Sequence, residues 1–247
     1  MKILINGKNS KDIENLVKNF GFEIVSKNPD VIISFGGDGT LLSSERDYPG
    51  IPKFPIRNSQ FCNKCSNHVD EVILKKLIQG ELKPTEYKKI ETEVIFKKIY
   101  ALNDFVVRNS DATHTIRFKV WSRQAQPIFP ERAEQVEGSL LIGDGLVVST
   151  PFGSSGYFKS ITQQTFKKGF GVAFNNPTEK IDPLNLGDED SINFNLTRGK
   201  ATLSFDNSPD IFIIDEGSEL IFKLSDKTAK IYEDTSLRCP NCEVIRD

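Results

Sequence analysis

Apolar and polar residues alternate along the first third of the chain with two periods. Lys2 to Asn6 is a short, mostly apolar run. Ser10 then stands where a helix cap belongs. The following residues place Ile13, Leu16, Val17 and Phe20 on one face at helical spacing, with Gly21 as the stop. Phe22 to Ser26 is a second short run, Asn28-Pro29-Asp30 a turn, and Val31-Ile-Ile-Ser-Phe35 a third run without charge. Strand, helix and strand at this spacing predict a parallel sheet with crossover helices. The pattern then weakens, because Pro49, Pro52 and Pro55 exclude a long helix. Asn67 caps a second helical pattern carrying Val69, Val72, Ile73 and Leu77, stopped by Gly80.

From Tyr87 to Tyr232 the texture changes. Runs rich in Val, Ile, Phe and Thr alternate with Gly, Asn, Asp and Pro clusters, and several show period two. Glu93–Phe96, Phe105–Val107, Thr115–Trp121, Leu146–Ser149, Ser191–Leu196, Ala201–Phe205 and Glu219–Leu224 read as strands of a sandwich or meander. The fold class expected is an α/β N-terminal domain with a parallel, Rossmann-like sheet, followed by a mostly β C-terminal domain. Pro84 marks the boundary, giving domains over 1–83 and 84–230 and a tail over 231–247.

The third apolar run ends in Gly36-Gly-Asp-Gly-Thr40, then Leu41-Leu-Ser43. This predicts a buried strand, a tight turn and the first turn of a helix. Gly36, Gly37 and Gly39 let the backbone approach a ligand closely or take positive φ. Such a turn, at the carboxyl end of a parallel strand, is where open α/β sheets bind ligands. The N–H groups that open the next helix suit an anion such as phosphate. Asp38 is the informative residue, since a carboxylate there repels phosphate unless it holds a metal or accepts a proton. It reads either as a helix N-cap or as a chemical participant.

Composition narrows the classes. The 247 residues suffice for one large or two small domains. Lys and Arg number 32 against 34 Asp and Glu, a formal net charge of −2, so no general field draws nucleic acid or an anionic membrane. The apolar run after Met1 is too short for a signal peptide core, and no run approaches membrane-spanning length. A soluble cytoplasmic protein is expected.

Two further stretches carry candidate chemistry. Asn103-Asp104 precedes an apolar strand, and an amide beside a carboxylate can grip a sugar diol, or simply form a turn. Gly143-Asp-Gly-Leu-Val-Val-Ser-Thr-Pro-Phe-Gly-Ser-Ser-Gly-Tyr157 joins a Gly-Asp-Gly turn, an apolar strand and a small, hydroxylated segment ending in an aromatic. Small hydroxylated residues suit a polar ligand lying against backbone, and an aromatic packs on a flat ring.

In this order and spacing, Gly36-Gly-Asp-Gly-Thr40, Asn103-Asp104 and Gly143–Tyr157 resemble the NAD kinase family over most of the chain, from Met1 to Tyr232. The first motif is shared with other kinases; the third is highly specific. The resemblance implies a two-domain fold with the NAD site between the domains. It implies phosphorylation of NAD on the 2′-hydroxyl of the adenosine ribose, with ATP or polyphosphate as donor and Mg²⁺ or another divalent cation. It also implies a homodimer or homotetramer. Asp38 matches the family's essential carboxylate, and Gly36, Gly37, Gly39 and Thr40 its phosphate-facing turn. Asn103 and Asp104 match an Asn-Glu pair that holds NAD, and Asp144 a carboxylate at the nicotinamide end. Ser155, Gly156, Tyr157 and Ser160 match the adenosine-side wall, and Asp206 a late aspartate.

The chain departs from the family around substrate contacts. Asp104 is one methylene shorter than Glu. Phe158-Lys-Ser-Ile-Thr-Gln-Gln164 lacks a glycine-rich turn, and Phe54–Cys62 keeps only Asn58 of a glycine-rich stretch. Phe152 replaces a small residue, and Asn207-Ser208 replaces Gly-Gln. Two rival readings follow: a kinase of this fold acting on another nucleotide or hydroxyl substrate, and a non-catalytic NAD(P)-binding sensor.

The four cysteines form two pairs, Cys62-x-x-Cys65 and Cys239-x-x-Cys242. Two such pairs suit tetrahedral Zn²⁺ but lie far outside the spacing of a compact ribbon. In NAD kinases the tail returns to the first domain, which would bring the pairs together as a structural Zn²⁺ site. A disulfide within each pair and free thiols are the alternatives, the former disfavoured in a reducing cytosol. His68 and His114 read as surface residues.

Overall fold

The computed structural model describes residues 1–57, 70–122 and 140–233. The chain divides into two compact units, Met1–Tyr87 with the residues from Thr228 on, and Lys88–Lys227. No helix among the described residues is long and apolar enough to cross a membrane.

The first unit is built on a parallel sheet. Strands β1 (Lys2–Asn6), β2 (Glu23–Ile24), β3 (Val31–Phe35) and β4 (Lys53–Ile56) lie in the order β2-β1-β3-β4. Every pairing along that path is parallel. All five residues of β3 are buried, as a strand covered on both faces requires. Helices α1 (Lys11–Asn19), α2 (Asp38–Asp47) and α3 (Asp70–Ile78) belong to this unit. Ile13 and Val17 of α1, with Ile73, Leu74 and Leu77 of α3, join Ile3, Val31, Ile33 and Phe54 in one core. The helical face read from the sequence around α1 is therefore the buried one. Ser10 occupies the cap position of α1 but makes no side-chain cap bond, because its backbone is already helical (φ −53°, ψ −31°). The expected cap of α3, Asn67, lies outside the described residues, as does Val69.

The proline-broken segment contains a strand that periodicity did not reveal. The carbonyls of Pro52 and Ile56 accept N–H bonds from Ile32 of β3 and from Gly36 just beyond it, so alternate residues along this segment face that neighbour. Pro55 faces away, where its missing N–H breaks no bond with β3.

The second unit is a β-sandwich. One sheet has the antiparallel order β12 (Leu184–Leu186), β11 (Phe170–Asn175), β10 (Gly145–Ser149), β7 (Asp104–Asn109), β14 (Ala201–Phe205), β15 (Phe212–Ile214). The other joins β9 (Leu140–Gly143), β8 (Ile116–Ser122), β13 (Ser191–Arg198) and the first residues of β16 (Glu219–Tyr232). Strands β5 (Pro84–Val94) and β6 (Lys97–Ala101) pair as a hairpin. Phenylalanines fill the interior: Phe105 packs on Phe205 at 5.8 Å and Phe222 at 5.5 Å, and Phe118 on Phe194 at 5.3 Å. The expected strand Glu93–Phe96 is cut short, because Ile95 and Phe96 take left-handed φ of 48° and 60° and turn the β5–β6 hairpin. Both stand exposed at its tip, a placement that hydrophobicity alone does not predict.

Helix α2 is tied to β4 by a charge pair inside the first unit. Lys53 is fully buried, its ammonium paired with Glu45 and donating to the Tyr48 carbonyl. Removing one partner of a buried pair strands the other charge. Lys53→Ala is expected to lower unfolding stability by roughly 3–5 kcal/mol. Replacing both residues, Glu45→Gln with Lys53→Met, is expected to recover most of that loss. Urea unfolding at neutral pH reads both; a wild-type midpoint for Lys53→Ala would refute the pairing's role.

Candidate functional site

The chemistry-bearing residues lie on both units, and each set is held by its own framework. In the first unit the sheet order reverses between β1 and β3, since β2 lies beyond one and β4 beyond the other. Ligands of open α/β sheets bind at the carboxyl ends of strands flanking such a reversal. There Gly7 has φ +151°, and a Cβ on it would stand 2.1 Å from the Phe35 carbonyl oxygen. Only glycine lets the ends of β1 and β3 approach this closely.

Between β3 and α2, Gly36 and Gly37 make the whole turn. Gly37, Asp38 and Gly39 are exposed. A Cβ at Gly36 would meet the Thr40 hydroxyl at 2.3 Å, so Thr40 closes over this glycine. Gly37 holds the cap position with no side-chain cap bond, and Asp38 is the first helical residue. The cap alternative for Asp38 is therefore set aside.

A polar network fixes the turn from below. The Ser44 hydroxyl donates to the Thr40 carbonyl at 2.7 Å. It accepts from Ser34 at 2.8 Å and from the Asn6 amide at 2.9 Å. These bonds join β1, β3 and the first turn of α2. At the carboxyl end of β4, Arg57 places its guanidinium 3.2 Å from the Asp38 carboxylate.

In the second unit, three segments converge on the backbone of Leu102–Asp104. Asp206, at φ +48° after β14, accepts N–H bonds from Leu102 at 2.9 Å, Asn103 at 2.7 Å and Asp104 at 3.4 Å. On the carbonyl side, the Thr150 hydroxyl donates to Leu102 at 2.6 Å and the Thr150 N–H to Asn103 at 2.9 Å. Gly153 donates to the Thr150 hydroxyl at 3.0 Å. A Cβ on Gly153 would stand 2.2 Å from the Asn103 carbonyl oxygen. The small residues of the third motif are small because they close onto this backbone.

The brace leaves side chains free for other work. Among the described residues, neither the Asn103 amide nor the Asp104 carboxylate has a hydrogen-bond partner. Asp104 is only 8% exposed. Burial, then the neighbouring Asp206 charge, push its carboxyl up to about 7. Burial also raises Asp206, outweighing the three N–H donors and Lys89, which pull the other way.

Ser155 and Gly156 are exposed beside this backbone, and Tyr157 opens a short helix, α4 (Tyr157–Thr162). Tyr157 rests partly buried on Val147, Phe158 and Ala173. Ser160 is exposed, its hydroxyl donating to the Tyr157 carbonyl at 2.7 Å. The glycine-rich turn absent after Tyr157 is made instead by Gln163, which takes left-handed φ of 59°. Asp144 lies elsewhere, at the corner where the chain passes from β9 to β10 and so from one sheet to the other. Gly145 turns that corner at φ +136°, where a Cβ would be 2.0 Å from the Val107 carbonyl oxygen. The Asn176 amide donates to the Asp144 carboxylate at 3.2 Å. Ser149 faces Asp104 across the β10–β7 pair, so Asp144 lies about 17 Å along the sheet from Asp104.

Cys62, Cys65, Cys239 and Cys242 lie outside the described residues, as do Asn58 and His68. Among the described residues no group of three His, Cys, Asp or Glu side chains gathers to hold a metal. His114 is exposed and bonded to Asp111 at 2.9 Å. Arg57 and the bracing role of Asp206 were not singled out from sequence. For Arg57 the available signal was its place directly after a strand whose neighbour ends in the glycine turn.

The architecture is that of a two-domain nucleotide kinase, an α/β unit with a glycine turn and a β-sandwich with a braced polar loop. No family model matches the chain. It is 28% identical over 250 residues to a protein named NAD kinase from Sulfurisphaera tokodaii, covering 94% of each. The fold matches the crystal structure of an NAD kinase from Archaeoglobus fulgidus in complex with ATP, with a TM-score of 0.77, 19% identity and full coverage of both chains. It also matches yeast NADH kinase complexed with NADH, with a TM-score of 0.72 and 13% identity over 96% of this chain and 84% of that one. These likenesses over nearly the whole chain support a member of the NAD kinase family, and the chain is a kinase.

The Asp104 carboxyl links stability to pH. Its folded value near 7 lies above the ordinary carboxylate value of about 3.9. Between those values the folded chain holds a proton that the unfolded chain has lost. This contribution is full below about pH 4 and is lost as pH rises through about 7. Asp104→Asn, which cannot ionise, is expected to gain about 2.5 kcal/mol relative to wild type as pH rises from 5 to 8. Urea unfolding at the two pH values checks this; a pH-independent difference would refute it.

Proposed function

We propose that this kinase phosphorylates NAD on the 2′-hydroxyl of its adenosine ribose, giving NADP, with ATP as donor and Mg²⁺ as the divalent cation. The observation that carries this is the braced Leu102–Asp104 backbone, which presents an amide and a buried carboxylate with no partner among the described residues. A ribose diol supplies two hydroxyl donors and acceptors that complement such a pair. Tyr157 offers a ring face beside the exposed Ser155 and Gly156. The names of the similar proteins, with ATP in one structure and NADH in the other, point to the same substrates.

Phosphoryl transfer asks the protein mainly for positioning and charge neutralisation. Asp38 is proposed to take the proton of the attacking hydroxyl, which requires a base within hydrogen-bond reach. The glycine turn and the start of α2 receive donor phosphate. Asp38 fits a divalent cation as an exposed carboxylate beside that turn, because Mg²⁺ is commonly held by one or two carboxylates plus substrate phosphates. Such a cation, when bound, supplies neutralisation of the charge on the transferred group. Asn103 and Asp104 orient the ribose and keep water from its diol.

Incubation with ATP, Mg²⁺ and NAD, followed with an NADP-specific dehydrogenase, tests the reading. Product from wild type, and a rate about 100- to 10,000-fold lower for Asp38→Asn, are expected. No product from wild type, with NAD still binding in calorimetry, would leave a binding protein or a kinase for another hydroxyl. The pH dependence supplies a second check. Hydroxyl donors bind ionised Asp104 better, so KM for NAD is expected to fall as pH rises through about 7 and then level off. A KM independent of pH across that range would remove Asp104 from the ribose site.

A further inference from the structure

We infer that Arg57 is the cation of the phosphoryl-donor site, binding the terminal phosphates of ATP and holding Asp38 in place when no donor is bound. This rests on the kinase reading above and adds a residue to it. Arg57 follows β4 directly, at the carboxyl end of the sheet next to the glycine turn that follows β3. Its side chain is 21% exposed, against 61% for Asp38, so the guanidinium is largely withdrawn from water. A guanidinium has five N–H donors. Among the described residues Arg57 uses one of them, to the Asp38 carboxylate at 3.2 Å.

A partly buried guanidinium with donors to spare suits a partner that offers two anionic oxygens to its fork of N–H groups, as a phosphate does. The electrostatics require such a group. Asp38 brings a negative charge to the turn that receives a polyanionic donor. At a few ångströms that repulsion is substantial unless a cation stands beside it. Arg57 supplies such a cation, paired with Asp38 at 3.2 Å. The backbone N–H groups of the turn contribute partial charges, whereas Arg57 contributes a whole one. Exchange between partners gives it two roles. With the site empty it orients Asp38, and with donor present it moves its spare donors onto phosphate while staying beside the carboxylate.

The test separates donor from acceptor. Arg57→Ala and Arg57→Gln are expected to raise KM for ATP about 10- to 100-fold, the loss typical of hydrogen bonds to a charged group. KM for NAD should stay within about twofold, because the groups proposed to hold NAD lie on the other unit. Guanidinium ion added at millimolar concentration should recover part of the Arg57→Ala activity and none of the Asp38→Asn activity. Calorimetry of ATP with Mg²⁺ reads the same contact without turnover, so the inference stands or falls even if NAD is not the acceptor. An ATP affinity unchanged in both variants, or no ATP binding by wild type, overturns it. Equal losses for ATP and NAD, with no rescue by guanidinium, would show a role in folding and overturn it too. Absence of NADP with normal, Arg57-dependent ATP binding would instead sink the choice of acceptor alone.

Discussion

The second unit's chemistry depends on one carboxylate whose hydrogen bonds all run to backbone. Asp206 leaves β14 in a left-handed turn and gathers the N–H groups of Leu102, Asn103 and Asp104. Thr150, held by Gly153, closes the carbonyl side of Leu102 and Asn103, and the Asp206 N–H that of Asp104. A loop held from both edges by its backbone keeps its side chains available, and Asn103 and Asp104 are the side chains in question. The cost is electrostatic. Two carboxylates are brought together away from water, and the one without backbone donors is held protonated toward neutral pH. The same arrangement that presents Asp104 to a ligand thus sets the pH at which it binds well.

The first unit solves the complementary problem of presenting a carboxylate and a cation beside an exposed glycine turn. Gly7 lets β1 and β3 approach, Ser44 joins both strands to the first turn of α2, and the buried Lys53–Glu45 pair anchors that helix to β4. The Gly7 and Ser44 contacts lie at the carboxyl ends of parallel strands, where open sheets place ligands for topological reasons, and the Lys53–Glu45 pair fixes the far end of α2 at the start of β4. Asp38 and Arg57 then face each other because their strands are neighbours in register.

Departures from the family's pattern are absorbed in different ways. Gln163 makes the reversal after α4 in a left-handed conformation that glycine takes more easily. Asp104, one methylene shorter than Glu, is only 8% exposed. Asp206 keeps its place although Asn207 and Ser208 follow it, because its bonds run to backbone and ask nothing of its successors. Substitutions at substrate-facing positions therefore coexist with an intact frame.

Much of the fold was legible in the residue pattern. The apolar face of α1, the buried strand before the glycine turn, and the strands at Ala201–Phe205 and Leu146–Ser149 all carry a period that one-sided or two-sided burial imposes. Strand β4 was hidden because its prolines erase the pattern, and only its position beside β3 makes Pro55 harmless. The tip at Ile95-Phe96 was misread as strand because apolar character says nothing about which residues turn a hairpin. For the site, residue types pointed to Asp38, Asn103, Asp104 and Asp144, which stand in glycine turns or beside another polar residue, and the family resemblance added Asp206. Their division of labour was not legible. That Asp206 braces backbone, that Asp104 lies buried without a partner, and that Arg57 meets Asp38 across 19 positions of sequence are facts of contact between distant segments. Sequence by itself determined which residues can do chemistry and which elements carry them. Only the tertiary structure decided which are spent on the frame and which are left for a ligand, because hydrogen bonds and desolvation act through space and not along the chain.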